Sequence, residues 1–94
     1  MNRQSTAIKC AELMGITEEQ HTEITKGILG DMLQDLEEAV SREDLDGARS
    51  ARTILWRRVL ILIAKGEPDP VRLASWAYSM DVLVGELGKK LRNR

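Results

Sequence analysis

The chain has 94 residues, 14 Lys and Arg against 15 Asp and Glu, a net charge of −1, one Cys and no Phe. That bounds it to a single domain with a thin core, excludes an internal disulfide and leaves no basic footprint of the kind nucleic-acid binders carry. Its longest apolar run, Val59 to Ala64, falls far short of the roughly 20 residues a membrane span needs, and no apolar run follows Met1 to Ser5. Neither a span nor a secretory signal is expected, and a cytoplasmic location is.

Glycines and prolines divide the chain into one short helix and three long ones. Absent Phe and short β-branched runs argue against sheet. The first helix is expected over about residues 5–14. Ser5 or Thr6 can cap it, Ala7, Ile8, Ala11 and Met14 line one side, and Gly15 suits the position after its end. A second helix, about 17–41, opens on Thr17-Glu18-Glu19-Gln20, which reads as a capping box. Ile24, Ile28, Leu29, Met32, Leu33, Leu36 and Val40 form its apolar stripe. Gly27 and Gly30 fall inside this stripe, as a close approach or a weak point.

Ser41 to Asp44 form a turn, and Ser41 or Asp44 can cap a third helix, about 44–65, that returns antiparallel to the second. Its main face carries Ala48, Ala51, Leu55, Val59 and Leu62, and Lys65-Gly66 ends it. Asp69 then caps a fourth helix, about 70–92, with Pro70 as its first residue. Leu73, Ala77, Met80, Val84, Leu87 and Leu91 alternate spacings of four and three, a coiled-coil-like seam. Gly85 and Gly88 lie beside it as candidate close-packing positions.

The third helix carries more apolar surface than one face can hold: Ile54, Trp56, Leu60, Ile61 and Ile63 flank its main stripe, interrupted by Arg57 and Arg58. A helix apolar nearly all round is a buried one, and two neighbours in a chain this short can hardly cover it. Burial habit places Trp56 and Trp76 in the core, where both sit near the Gly66–Asp69 turn and can meet. The alternative places both, with Leu83, at a dimer interface rich in Trp and Arg. The expected interface is therefore Ile54, Trp56, Arg57, Arg58, Leu60, Ile61, Ile63, Trp76 and Leu83.

Four features carry potential chemistry. Ala11-Glu12-Leu13-Met14-Gly15-Ile16-Thr17, followed by Ile24, resembles the Ala-x-x-x-Gly-apolar pattern of bacterial helix-turn-helix regulators over about residues 6–26. The resemblance implies that Ala11 packs under the second helix and Gly15 makes the turn, but His21 stands where that family places an apolar residue. Glu18, Glu19 and Glu23 would also repel DNA phosphates. Glu18-x-x-His21 is similar to the Glu-x-x-His spacing of ferritin-like di-iron proteins, which a dimer would double into a site. Against this, glutamate in a first helical turn is expected for dipole reasons alone. Cys10 and His21 are the one nucleophile–base pair available, with nothing to orient them. The tail from Lys89 to Arg94 is a cationic helix end.

The reading is an all-α helical bundle of one short N-terminal helix and three longer antiparallel helices, completed by homodimerisation. It is expected to act as a non-enzymatic interaction or regulatory protein on a protein partner, with no cofactor, metal or catalytic residue. The alternatives are a DNA-binding regulator using residues 6–26 and a dimer-assembled di-metal protein.

Overall fold

The computed structural model describes residues 3–94, with side chains from Thr6 onward. Among the described residues five helices follow one another: α1 (Arg3–Leu13), α2 (Glu18–Ile24), α3 (Ile28–Ser41), α4 (Leu45–Ala64) and α5 (Pro70–Arg92). Among the described residues there is no strand. α3 packs on α4, α4 on α5, and α1 on α5, α2 and α3, in a body of 43 × 22 × 18 Å.

Local chemistry sets most helix ends. Thr17 Oγ1 accepts from the Gln20 amide at 3.2 Å, while the Thr17 amide donates back to Gln20 Oε1 at 3.0 Å, so the capping box forms in full. Asp44 and Asp69 cap α4 and α5, each through Oδ1 at 3.0 Å from the amide three residues on. Ser41 belongs to α3 and caps nothing. α1 already runs through Ser5 and Thr6, which places both inside the helix and not at the position before it.

Three helix ends share the wrapped pattern in which an amide bonds the carbonyl five residues back. The pairs are Ile16 to Ala11, Asp44 to Ala39 and Glu67 to Leu62. The residue before each of these amides has positive φ: Gly15 at 82°, Glu43 at 57° and Gly66 at 99°. Two are the glycines this turn favours; the third is a glutamate. The Glu43 carboxylate pairs with Lys90 Nζ at 3.0 Å and with Arg94 Nη2. The basic tail thus ties the end of α5 to the α3–α4 turn, and these hydrogen bonds, Lys90 first, hold the Glu43 carboxyl below its ordinary range.

The expected helix over 17–41 is broken at Thr25–Gly27. Thr25 turns its hydroxyl back onto the carbonyls of His21 and Thr22 at 2.9 and 3.3 Å, and Gly27 leaves the helical conformation and becomes the cap of α3. The chain folds back so tightly that a β-carbon on Gly30 would collide with the backbone carbonyl of Thr25. Gly30 is therefore a close-approach glycine. In an open helix Gly→Ala stabilises by about 1 kcal/mol. Here Gly30→Ala is expected to destabilise by about 1–3 kcal/mol, because the obstructing atoms are backbone. Urea denaturation decides the sign, and a stabilised variant would contradict the break. Gly85 faces open space and Gly88 approaches only the Leu45 side chain, so neither serves close backbone packing.

The core forms where the predicted stripes meet. Leu29, Leu33 and Leu36 of α3, Leu55 and Val59 of α4, and Leu73, Ala77, Met80, Val84 and Leu87 of α5 are buried, with Ala7, Ala11 and Ile16 closing one side. Trp76 and Leu83 belong to this core, at 0% and 3% exposure. They are not surface residues of the chain, which corrects the expectation that both face a dimer partner. α5 is packed by α1 as well as by α4, and His21 of α2 lies against Trp76, so more of α5 is buried than one seam.

Candidate functional site

The outward side of α4 is the feature the fold leaves unexplained. Helical geometry places residues spaced alternately by four and three on one line. Asp46, Ser50, Thr53, Arg57, Leu60 and Ala64 follow that line, and all are exposed. Ile54 and Ile61 flank it. Over its second half this surface presents Ile54, Leu60 and Ile61, at 52%, 57% and 44% exposure, with Arg57 as the charge among them. Scattered apolar side chains on a surface need no explanation, but three on one face of two consecutive turns form a patch.

Trp56 borders this patch. It is half-buried, and its Nε1 donates to Asp81 Oδ1 of α5 at 3.1 Å. Arg52 Nε stands 3.6 Å from the same oxygen. Thr53, Arg57 and Leu60 join these three residues around a shallow open groove between α4 and α5. A tryptophan whose edge is fixed by a carboxylate, beside arginine and leucine, is pre-ordered for contact. Ile63 is half-buried and packs against the core.

Arg57 and Arg58 do not act together. Arg57 is exposed on the patch, whereas Arg58 is half-buried and its Nε is enclosed without a hydrogen-bond partner. Charge reversal at Arg58 would therefore perturb folding, and only Arg57 tests the surface. The two tryptophans also separate. Trp56 bonds Asp81, while Trp76 Nε1 donates to His21 Nδ1 at 2.9 Å inside the core.

The remaining candidates resolve around that second bond. His21 is 2% exposed and rests against Trp76, with ring centroids 6.2 Å apart. It fills the buried position of α2 that the helix-turn-helix pattern gives to an apolar residue. Ala11 and Ile16 are buried and Gly15 makes the turn with positive φ, so α1, the turn and α2 follow the local geometry of that pattern. α2 has only seven residues, however, and turns Glu18, Glu19, Thr22 and Glu23 to solvent. For a metal, His21 Nδ1 is already engaged by Trp76, Glu18 is exposed, and no group of three potential ligands gathers among the described residues. Cys10 is buried, and burial first, then Glu86, pushes its thiol pKa up, which disfavours the nucleophilic thiolate.

A second depression lies between α2 and the α4–α5 turn, with Glu19, Glu23, Glu67 and Asp69 at its rim and Ile24, Leu29, Leu62 and Leu73 within. Asp69 is paired with Arg72 at 3.2 Å and Glu23 with Lys26 at 2.8 Å. Among the described residues no helix is long and apolar enough to cross a membrane.

Sequence reasoning found the α4 patch from its excess of apolar residues. It missed Asp81 and Arg52, whose role depends on how α4 and α5 register, and it missed the His21–Trp76 pair, 55 residues apart in the chain. Comparison of the chain with protein-family models, curated proteins and solved structures found no match.

Proposed function

We propose that this protein is a non-enzymatic helical interaction module that associates with a second copy of itself through the outward face of α4. One observation carries the reading: Ile54, Leu60 and Ile61 stand together on a face where the helix would ordinarily carry polar residues.

A second copy fits by symmetry. A twofold contact brings the same patch from both chains together, so each apolar side chain counts twice. The contact adds to a chain that already closes its own core. Its surface of 5792 Å² is near the roughly 5500 Å² expected of a monomer this size. The dimer is therefore a dissociable one, and further protein partners would compete for the same face.

Methyl NMR on dilution tests this placement. The δ-methyl signals of Ile54, Leu60 and Ile61 are expected to shift between about 10 µM and 1 mM, a range that brackets weak association. Those of the buried Leu36 and Leu55 stay fixed. Concentration-independent spectra, or shifts centred on another helix, would contradict it.

A further inference from the structure

The only residue of α2 that is buried is also titratable. α2 is seven residues long and lies between two interruptions, the Gly15–Thr17 turn and the Thr25–Gly27 break. Its Glu18, Glu19, Thr22 and Glu23 face solvent, Gln20 serves the cap and Ile24 is half-buried. His21 alone is fully enclosed. The one fully buried side chain of α2 is thus an imidazole, held by the Trp76 indole of α5, with Ile24 packed more loosely on the core.

An indole N–H only donates, so His21 Nδ1 must be the unprotonated, accepting nitrogen. The neutral ring therefore carries its proton on Nε2, which is buried without a partner. A second proton can go only to Nδ1. It would set two N–H groups against each other, break the bond to Trp76 and leave a cation enclosed. We infer that α2 is an acid-released flap: protonation of His21 detaches it from Trp76, and the helix swings away on its two flanking breaks while α3, α4 and α5 stay folded.

The surrounding charges leave the latch to work. Glu18, one turn earlier on α2, favours the cation. Burial outweighs Glu18 and holds the His21 pKa below its ordinary 6.5. A base with a lowered folded-state pKa contributes its full stabilisation above the unfolded value. The closed state is therefore complete above pH 6.5 and weakens as the pH falls from 6.5 toward the folded pKa. Opening would expose Trp76 and remove the α2 wall of the groove lined by Glu19, Glu23 and Ile24.

Amide hydrogen exchange of the whole protein between pH 7.5 and 4.5, corrected for intrinsic rates, tests the flap. Protection of residues 18–24 is expected to fall at least tenfold on acidification, while α4 and α5 keep theirs. His21→Gln, whose amide oxygen can accept from Trp76 but does not titrate, should hold α2 protected throughout. Unchanged protection of α2, loss in step with α4 and α5, or the same loss in His21→Gln would each overturn the inference. Should that variant fail to fold, the imidazole nitrogen shifts of the wild type decide. A His21 titration below 6.5 that coincides with α2 opening supports the flap, and one at or above 6.5 rejects it.

Discussion

Trp76→Ala is expected to destabilise the fold by about 3–5 kcal/mol, the range for removing a fully buried large aromatic. Trp76 is completely enclosed and is the largest side chain in the core. Its loss leaves a cavity beside His21 of α2, and it also deprives His21 Nδ1 of its donor. A buried acceptor stripped of its partner costs about 1–3 kcal/mol, which pushes the effect toward the upper end of the range. Trp56→Phe supplies the contrast. Trp56 is half-buried and gives up one hydrogen bond to Asp81, so a loss of about 1 kcal/mol is expected. Urea denaturation followed by far-ultraviolet circular dichroism separates the two. Equal effects, or a change below about 1 kcal/mol for Trp76→Ala, would contradict the packing described.

The sequence left Trp76 between core, by burial habit, and a dimer interface, and the fold buries it. The seam of α5 was legible because Leu73, Ala77, Met80, Val84 and Leu87 repeat at helical spacing, and each of them is buried. A seam shows where one neighbour packs and does not report a second. α1 also packs on α5, and His21 of α2 lies against Trp76. The cap residues Thr17, Asp44 and Asp69 and the glycines Gly15 and Gly66 were legible for a different reason: their chemistry acts within five residues and needs no tertiary contact. Glu43 was invisible at the equivalent turn, since nothing in a glutamate announces positive φ and its supporting partners lie at the far end of α5.

The break between α2 and α3 was hidden by the apolar stripe itself. Ile24, Ile28 and Leu29 keep helical spacing across Thr25–Gly27, so the period continues where the backbone does not. Gly27 and Gly30 were the available signal, and Gly30 proves to be the position where the chain folds back on Thr25. The candidate surface on α4 was read from surplus apolar composition, which marks the helix but cannot sort its faces. Trp56 turned toward Asp81 and Ile63 toward the core, leaving Ile54, Leu60 and Ile61 outward.

The double variant Leu60→Asp with Ile61→Asp is expected to weaken self-association at least about a hundredfold while leaving helical content unchanged. Completing the burial of a half-exposed Leu or Ile contributes about 1 kcal/mol, half the usual value for full burial. In a twofold dimer the two substitutions act at four places, and about 3 kcal/mol is enough for a hundredfold change. The added carboxylates face solvent in the monomer, so the fold has no reason to suffer. Arg57→Glu should weaken association less, because it removes none of the apolar area of the patch.

The most direct measurement is sedimentation velocity of the wild-type chain beside this double variant, from about 1 µM to 1 mM, spanning weak to undetectable dimerisation. The account predicts that the wild type moves toward twice the chain mass as concentration rises, while the double variant remains a monomer with the same circular dichroism. A wild type that stays monomeric throughout, or a double variant that dimerises like it, would contradict the claim that the outward face of α4 is where this protein binds itself.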